Sequence, residues 1–269
     1  MQLINLPRSR SEMILKKAGI TLASFARLFK SPMRLCWFLR VRLNAPFLPL
    51  DVLPSYEHRH LPNFVSCPSL FIDVGFNKGQ FSSLMLLKFP DSNVWGFDPS
   101  PQSSAKYAPI LCAAYPSRFS FYNVALGNRD CSAHLNQAVS FDNNSLLRPT
   151  SINVSRFPRA AILQDLLTVK CCRLSSFQSR MPEDNIFLKI DVQGYEMQVL
   201  EGATSSLFER IRWIYVELTD LDLYEGQAKA DEIRSYIHSL GYDLVADFNV
   251  SFDQARSKIT YCDSLFVRR

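Results

Sequence analysis

Two patterns of apolar and polar positions alternate along the chain from residue 69 onward. Short apolar runs of the kind that form buried strands cover residues 69–74, 93–98, 118–126, 185–192, 212–218, 242–248 and 264–269. Between them, apolar residues recur at helical spacing over residues 78–89, 101–113, 195–208 and 228–240. This alternation predicts an α/β fold in which helices cover both faces of a mostly parallel sheet.

Residues 127–178 do not follow this alternation. Polar strand-like pieces lie around CSAHLNQA and TVKCCRL, with FDNNSLLRPT between them. We interpret the segment as an inserted hairpin with a long loop. From their position, Asn143, Asn144 and Ser145 make this loop a candidate lid whose polar side chains recognise the hydroxyl groups of a sugar.

The N-terminal part of the chain is basic, whereas the remainder is mildly acidic. Residues 1–45 contain nine Lys or Arg and a single acid, and the other residues contain more acids than bases. Four of the bases recur at spacings that place them on one helical face: Lys16, Arg27, Lys30 and Arg34. Residues 12–43 are therefore predicted to be a basic amphipathic arm. Two interpretations stay open, peripheral contact with an anionic membrane or packing on the core with solvated lysines.

A proline-spaced linker follows the arm, so we divide the chain into an arm with linker, residues 1–68, and a main domain, residues 69–269. No apolar run is long enough to span a bilayer, and the N-terminus does not resemble a signal peptide. We therefore expect a cytoplasmic protein that either stays free or contacts a membrane peripherally.

Composition and cysteine spacing exclude several classes of protein. The 269 residues are 47% hydrophobic and 20% charged, which is ordinary for a globular chain with a sizeable core. The bases do not form a stripe on the main domain, so no nucleic-acid partner is expected. Seven cysteines without a C-x-x-C pair argue against a disulfide framework or a zinc site and indicate reduced thiols. His58 and His60 lack other obvious ligands, so no metal is expected.

The candidate ligand site begins at FIDVGFNKGQF, residues 71–81. An apolar run ends at Asp73, and Gly75 and Gly79 follow. Glycines after a first strand let the backbone approach a ligand. The dinucleotide pattern G-x-G-x-x-G is absent, and a carboxylate at this point would repel a pyrophosphate. It suits a ligand that carries an ammonium and a sulfonium group and no phosphate, such as S-adenosylmethionine.

Two later strands add polar groups at the same edge of the sheet. Asp98 closes the run WGFD, where a carboxylate can accept hydrogen bonds from both hydroxyls of a ribose. Asn123, Val124 and Ala125 stand where the third run could meet an adenine ring. Each signal is weak alone, but their order across three successive strands indicates an adenosyl-binding site.

The same residues resemble the FkbM family of S-adenosylmethionine-dependent methyltransferases. The glycine motif is matched by FIDVGFNKGQF, the second-strand motif by GFDPSPQ (96–102) and the third by NVALGN (123–128). The most distinctive match is LKIDVQGYEMQVLEGA (188–203), and IYVEL (214–218) follows it. The likeness covers about residues 69–220. It implies a class I methyltransferase fold, which is a Rossmann-like seven-stranded sheet with an antiparallel last strand.

Three positions depart from the family pattern. Phe76 stands where a small residue is usual, and Asp98 replaces the usual Glu, which shortens the reach to a ribose by one methylene. Ser175 stands where the family generally has Asp, which weakens any role assigned to that position.

The resemblance also implies roles for individual residues. It assigns cofactor binding to Asp73, Gly75, Asn77, Gly79, Asp98, Asn123, Val124, Ala125 and Asp191. The first and fourth strands flank the crevice in such sheets. Asp73 and Asp191 are therefore expected to face each other across it, with Glu217 one strand further along.

Methyl transfer to a hydroxyl requires that the nucleophile lose a proton, so a general base is expected. Asp191 is the first candidate, Glu217 the second, and His134 on the inserted hairpin the third. Each also has a structural interpretation. Asp191 can cap the helix that begins near Tyr195. Glu217 can be a partnered acid at a strand end, and His134 can be a surface histidine.

The leading hypothesis is an O-methyltransferase whose acceptor is a hydroxyl of a carbohydrate or secondary metabolite. An NAD-linked oxidoreductase is disfavoured by the spacing of the glycines and by Asp73. A non-catalytic adenosyl-binding scaffold, held at membranes by its arm, is the other alternative. The sequence determines neither the acceptor nor the oligomeric state.

Overall fold

The computed structural model describes residues 31–158, 162–253 and 258–269. The strands within these residues are β1 (Leu70–Val74), β2 (Asn93–Phe97), β3 (Phe119–Tyr122), β4 (Ala125–Leu126), β5 (Cys131–Ala138), β6 (Leu163–Cys172), β7 (Ile186–Ile190), β8 (Ile211–Thr219), β9 (Tyr242–Asp253) and β10 (Lys258–Arg268). The helices are α1 (Pro32–Asn44), α2 (Gln80–Lys88), α3 (Ala108–Ala114), α4 (Ser151–Arg156), α5 (Glu196–Glu201), α6 (Ser205–Arg210) and α7 (Ala230–Ser239).

Seven of the strands form the central sheet, in the order β3-β2-β1-β7-β8-β10-β9. All pairs from β3 to β8 are parallel, whereas β10 runs antiparallel to both of its neighbours. This order, with its reversed last strand, is that of the class I methyltransferase fold. The predicted fold class is confirmed.

Helices cover both faces of this sheet because its central strands are apolar on both sides. Leu70, Ile72 and Val74 of β1 belong to a core that also contains the buried apolar residues of α5, α6 and α7. Phe71 points to the other face, where it packs with the buried apolar residues of α1, α2 and α3. Each fully buried side chain of this size stabilises the fold by about 1.5–3 kcal/mol.

The segment between α1 and β1 packs on the second of these cores. Its buried residues are Ala45, Leu48, Val52, Leu53, Leu61 and Val65. His58 lies against the rings of Phe81 and Tyr215. Burial and the nearby charge of Lys189 lower the pKa of His58 to about 4, so the imidazole is neutral at physiological pH. The domain boundary at residue 68 stays a prediction, and residues 12–30 of the arm lie outside the described residues.

Two predicted elements are broken into shorter ones. The predicted helix over residues 195–208 ends at Gly202, and Thr204 caps α6 by accepting from the N–H of Leu207 at 3.2 Å. A Cβ atom at Gly202 would lie 2.1 Å from the carbonyl oxygen of Gly127, so the chain turns where only glycine fits. The predicted strand over residues 118–126 is likewise interrupted at residues 123–124, between β3 and β4.

Within residues 127–178, β5 and β6 form an antiparallel hairpin. The short strand β4 pairs with β6 in parallel and completes a separate three-stranded sheet. Along the parts of the chain that the structure describes, no helix is both long and apolar enough to cross a bilayer.

Candidate functional site

A cavity lies beyond the carboxyl ends of β1, β2 and β7. Parallel α/β sheets bind ligands at this edge, where the strand order reverses. Here the reversal lies between β1 and β7. The loops after these strands supply Gly75, Asn77, Asp98 and Asp191 to its lining.

The glycine loop lies close against the neighbouring strand. Gly75 has φ of +79°, and a Cβ atom there would lie 1.7 Å from the carbonyl oxygen of Asp191. Gly79 has φ of +75° and precedes the first residue of α2, and it does not line the cavity. The ring of Phe76 fills the space that Gly79 and Gly96 leave free, so this departure from the family pattern packs away from the cavity.

Gly75→Ala is expected to destabilise the fold by several kcal/mol and to abolish ligand binding, because the backbone must move away from Asp191 to make room. The measurement is the midpoint of chemical unfolding together with ligand titration. Gly226→Ala is the matched control, since Gly226 has φ of +75° but open space around its Cβ position. That control should cost only about 1–2 kcal/mol. Equal losses of stability in Gly75→Ala and Gly226→Ala would show that the close approach of Gly75 to Asp191 adds nothing to the cost of the substitution.

The carboxylate of Asp98 is held by two backbone donors. Its Oδ2 accepts from the N–H of Asn77 and its Oδ1 from the N–H of Ser100, each at 2.8 Å. Burial raises the pKa of Asp98, and these two N–H groups oppose the rise. Each carboxylate oxygen keeps a further lone pair that can accept from a ligand hydroxyl.

The predicted adenine-contacting residues divide into two groups. Val124 and Ala125 line the cavity, where they form an apolar wall with Leu126, Leu135 and Phe97. Asn123 is exposed, and its amide nitrogen donates to the carbonyl oxygens of Asp98 (3.0 Å) and Pro99 (3.2 Å). Asn123 therefore holds the loop that carries Asp98.

Asp73 is buried below the cavity in an ion pair that the sequence did not predict. The Nζ of Lys189 lies 3.0 Å from Asp73 Oδ1 and 3.6 Å from Asp191 Oδ2, and it donates to the carbonyl oxygen of Gly75 at 2.8 Å. Ser82 donates to Asp73 Oδ2 at 2.6 Å. Burial opposes the charged form of Lys189, but the charges of Asp73 and Asp191 outweigh it and raise the pKa of the lysine.

This geometry changes the expected relation between the two acids. Asp73 has no exposed surface and does not line the cavity, whereas the side chain of Asp191 is 36% exposed and does. The two carboxylates therefore share one ammonium group and do not face each other across the crevice. The buried carboxylate of Asp73 requires such a cation to stay charged.

Asp191 and Glu217 are connected by the amide of Gln193. Its Nε2 donates to Asp191 Oδ1 at 3.2 Å and to Glu217 Oε2 at 2.9 Å, while its Oε1 accepts from the hydroxyl of Tyr224 at 3.0 Å. Tyr261 donates to Glu217 Oε1 at 2.8 Å. Glu217 does not line the cavity. Burial and the charge of Asp191 raise the pKa of Glu217 well above its ordinary value.

His134 lies apart from this group. It is exposed on β5, whereas its neighbour Leu135 lines the cavity. Because successive residues of a strand point to opposite faces, His134 points away from the cavity.

A segment of the predicted lid crosses the cavity, and we call residues 141–146 the strap. Asp142 accepts from Asn77 Nδ2 at 3.0 Å and pairs with Lys78 at 2.8 Å. Phe141 stacks on Tyr107 with ring centroids 5.7 Å apart. At its other end, the hydroxyl of Ser145 donates to the backbone carbonyl oxygen of Gln193 at 2.7 Å. The strap therefore joins the glycine loop to the segment after β7.

The lining suits a cationic ligand without phosphate. It contains the carboxylates of Asp98, Asp142 and Asp191, and no Lys, Arg or His from the described residues. Two polar atoms of lining residues, Asn77 Oδ1 and Asn144 Nδ2, are buried without a hydrogen-bond partner in this part of the chain. One accepts and the other donates, so a polar ligand that enters the cavity can satisfy both. These features fit S-adenosylmethionine.

Comparison with known families agrees with this site. A family model described as the methyltransferase FkbM domain matches residues 73–244. The chain belongs to the FkbM methyltransferase family. The resemblance predicted from the glycine motif and the LKIDVQGYEMQVLEGA segment is confirmed, and the matched range contains the lining of the cavity.

Two relatives named as methyltransferases are distant in sequence. Methyltransferase 1 of Beauveria bassiana is 29% identical over 163 residues, which cover 56% of this chain and 65% of that protein. The 2-O-methyltransferase NoeI of Sinorhizobium fredii is 25% identical over 199 residues, or 71% of this chain and 79% of NoeI.

A solved structure also resembles this FkbM chain. M. capricolum TrmK in complex with S-adenosylhomocysteine matches with a TM-score of 0.46 at 7% identity, covering 81% of this chain and 70% of TrmK. The fold assignment rests on the strand order of the sheet.

Three features of the site have different sequence signals. Lys189 could have been found, because a lysine inside the apolar strand IFLKI requires a buried acid as its partner. Gln193 and the strap contacts could not, because they depend on where distant loops meet.

Proposed function

We propose that the protein is an S-adenosylmethionine-dependent methyltransferase that acts on a hydroxyl group. The observation that carries this proposal is the lining of the cavity. It combines a ribose-directed acid, Asp98, an acid at the carboxyl end of the fourth strand, Asp191, and no basic residue among those described. Such a lining disfavours a dinucleotide, because its carboxylates would repel a pyrophosphate and the nearest lysines, Lys78 and Lys189, already pair with two of them.

The residues that hold the cofactor follow from the geometry of the lining. Asp98 accepts from the ribose hydroxyls, the apolar residues Val124, Ala125 and Leu126 contact the adenine, and the Gly75 turn lets the backbone approach the ligand. The carboxylates of the lining and the unpaired Nδ2 of Asn144 suit the charged amino-acid end. When bound, S-adenosylmethionine supplies the methyl group and a neutral thioether leaving group.

Asp191 is the residue we propose as the general base. Of the two carboxylates joined by Gln193, only Asp191 reaches the cavity. Its carboxylate would accept the proton of an acceptor hydroxyl as the hydroxyl oxygen attacks the methyl carbon. Gln193 is a positioning residue, because its amide fixes the orientation of the Asp191 side chain. Glu217, with its raised pKa, accepts a hydrogen bond from Gln193 on the side away from the cavity and does not itself contact the acceptor.

The acceptor we propose is a small molecule or a glycan. The strap and the segment after β7 present Asn144, Ser145 and Gln193 to the cavity, and these groups can exchange hydrogen bonds with hydroxyls. The similarity to NoeI, which is named a 2-O-methyltransferase, supports transfer to oxygen.

The test is calorimetric titration with S-adenosylhomocysteine and, separately, with NAD. We expect binding of the first only, and a weakening of about 10–100-fold in Asp98→Ala, since a hydrogen bond to a charged group contributes about 1.5–3 kcal/mol. Asp91→Ala is the matched control, because Asp91 is exposed and does not line the cavity. NAD binding with no response to S-adenosylhomocysteine would refute the proposal.

Transfer itself is tested with radiolabelled S-adenosylmethionine and pools of sugars, glycans and hydroxylated metabolites. We expect label to appear in a hydroxyl-containing acceptor as a base-stable ether. Cofactor binding without transfer to any pool would favour the scaffold alternative.

A further inference from the structure

The outer face of α1 is an apolar stripe that nothing in the described part of the chain covers. Met33 is 70% exposed, Leu39 51% and Leu43 81%, and Phe47, just after the helix, is 58% exposed. The opposite face packs on the core through Val41, which is buried. Leu39 and Leu43 are four positions apart and lie on one side of the helix, Met33 lies six positions before Leu39 in its first turn, and Phe47 follows just beyond its end.

The stripe lies in a strongly basic stretch of sequence. Residues 13–50 contain seven Lys or Arg and no Asp or Glu. Within α1, Arg34 pairs with Glu57 and Arg42 donates to the carbonyl oxygen of Leu48, while Arg40 is exposed beside Leu39 and Leu43. An apolar face with a cationic border is the pattern of a helix that lies in the surface of an anionic bilayer.

We propose that α1 docks this protein on an anionic lipid surface, with Met33, Leu39, Leu43 and Phe47 inserted among the acyl chains and Arg40 at the phosphate level. This inference is independent of the methyltransferase reaction. The helix lies on the membrane and does not span it, because its 13 residues extend only about 20 Å and a bilayer core is about 30 Å thick.

Charge favours lipid over the other occupants of such a face. A second copy in a symmetric dimer would bring two basic segments against each other. A nucleic acid would neutralise the charge but leave the four apolar side chains in water. An anionic bilayer satisfies both features, because hydrocarbon and phosphate lie within a few ångströms of each other in its surface.

The experiment is co-sedimentation of the full chain with vesicles of phosphatidylcholine, with or without about one third phosphatidylserine. We expect binding to the mixed vesicles that weakens as salt is raised, and little binding to phosphatidylcholine alone. In Leu39→Glu/Leu43→Glu the partition coefficient should fall at least about tenfold, because two apolar side chains no longer leave water. The partition coefficient of Arg40→Glu should fall by a smaller factor.

The matched control is Ile152→Glu/Val154→Glu on α4, which introduces the same two charges at side chains that are 43% and 50% exposed and should partition like the wild type. Circular dichroism and the binding of S-adenosylhomocysteine confirm that each variant is folded. No binding of the wild type, equal losses in the two double variants, or a dimer in solution that Leu39→Glu/Leu43→Glu dissociates would each overturn the proposal.

Discussion

Lys189→Met is expected to lower the free energy of unfolding by about 3–5 kcal/mol, because it leaves the carboxylate of Asp73 buried without a counter-charge. The pair is nearly inaccessible to solvent, with exposed fractions of 5% and 0% for the two side chains. Ser82 still donates to Asp73, but a hydroxyl does not balance a charge. Equilibrium denaturation by urea measures the loss, and the thermal midpoint should fall by about 10 °C.

The loss in Lys189→Met should depend on pH in a defined direction. Burial raises the pKa of Asp73, and Lys189 opposes that rise. Without the lysine, the native state binds a proton at Asp73 more readily than the unfolded chain does. Native stability therefore falls as pH rises above the pKa of the unfolded carboxyl group, and it recovers as pH is lowered.

Two comparison variants isolate the ion pair. Asp73→Leu/Lys189→Met removes both charges and should recover at least half of the lost stability. Lys88→Met, which removes an exposed lysine of α2, should change stability by no more than about 0.5 kcal/mol. A double variant as unstable as Lys189→Met would show that packing of the lysine, and not its charge, is what the fold requires.

Asp191→Asn is expected to lower kcat about 10²–10⁴-fold in the transfer assay, because an amide cannot accept the proton of the acceptor hydroxyl. Asparagine keeps the size of the side chain, so the affinity for S-adenosylhomocysteine should change less than about tenfold. Together, the two measurements separate the loss of a base from the loss of a cofactor contact. An unchanged kcat would remove Asp191 from the chemistry.

Variants of the neighbouring residues rank the candidates. Glu217→Gln should lower kcat less than Asp191→Asn, because Glu217 does not line the cavity. Gln193→Leu removes the hydrogen bond that Gln193 donates to Asp191. It should lower kcat and also shift the pH dependence of kcat. His134→Ala, on the outward face of β5, should leave kcat unchanged. A greater loss in Glu217→Gln than in Asp191→Asn would exchange the proposed roles of the two acids.

The sequence predicted the architecture because each element carried its own signal. Strand and helix spacing alternate in the order of the fold, and the turn at Gly75 and the acid at Asp98 directly follow strands whose apolar character is plain. The carboxyl ends of parallel strands lie at one edge of the sheet, so the strand pattern is sufficient to place Asp98 and Asp191 at that edge.

Other features of the site depend on information that strand patterns do not contain. The side on which His134 lies is set by the register of β5, and a shift of one residue would have turned it inward. Asp73 looked like a ligand contact because its partner, Lys189, lies 116 residues later in the chain. The strap joins segments that meet only after the sheet has formed.

The strap has a consequence for how this enzyme could diversify. The same six residues contact the glycine loop through Asp142 and the segment after β7 through Ser145. Under the proposed function, an insertion or deletion there would alter the contacts with the methyl donor and the shape of the site offered to the acceptor in a single step. New acceptor preferences should therefore arise more readily from point substitutions within the strap than from changes in its length.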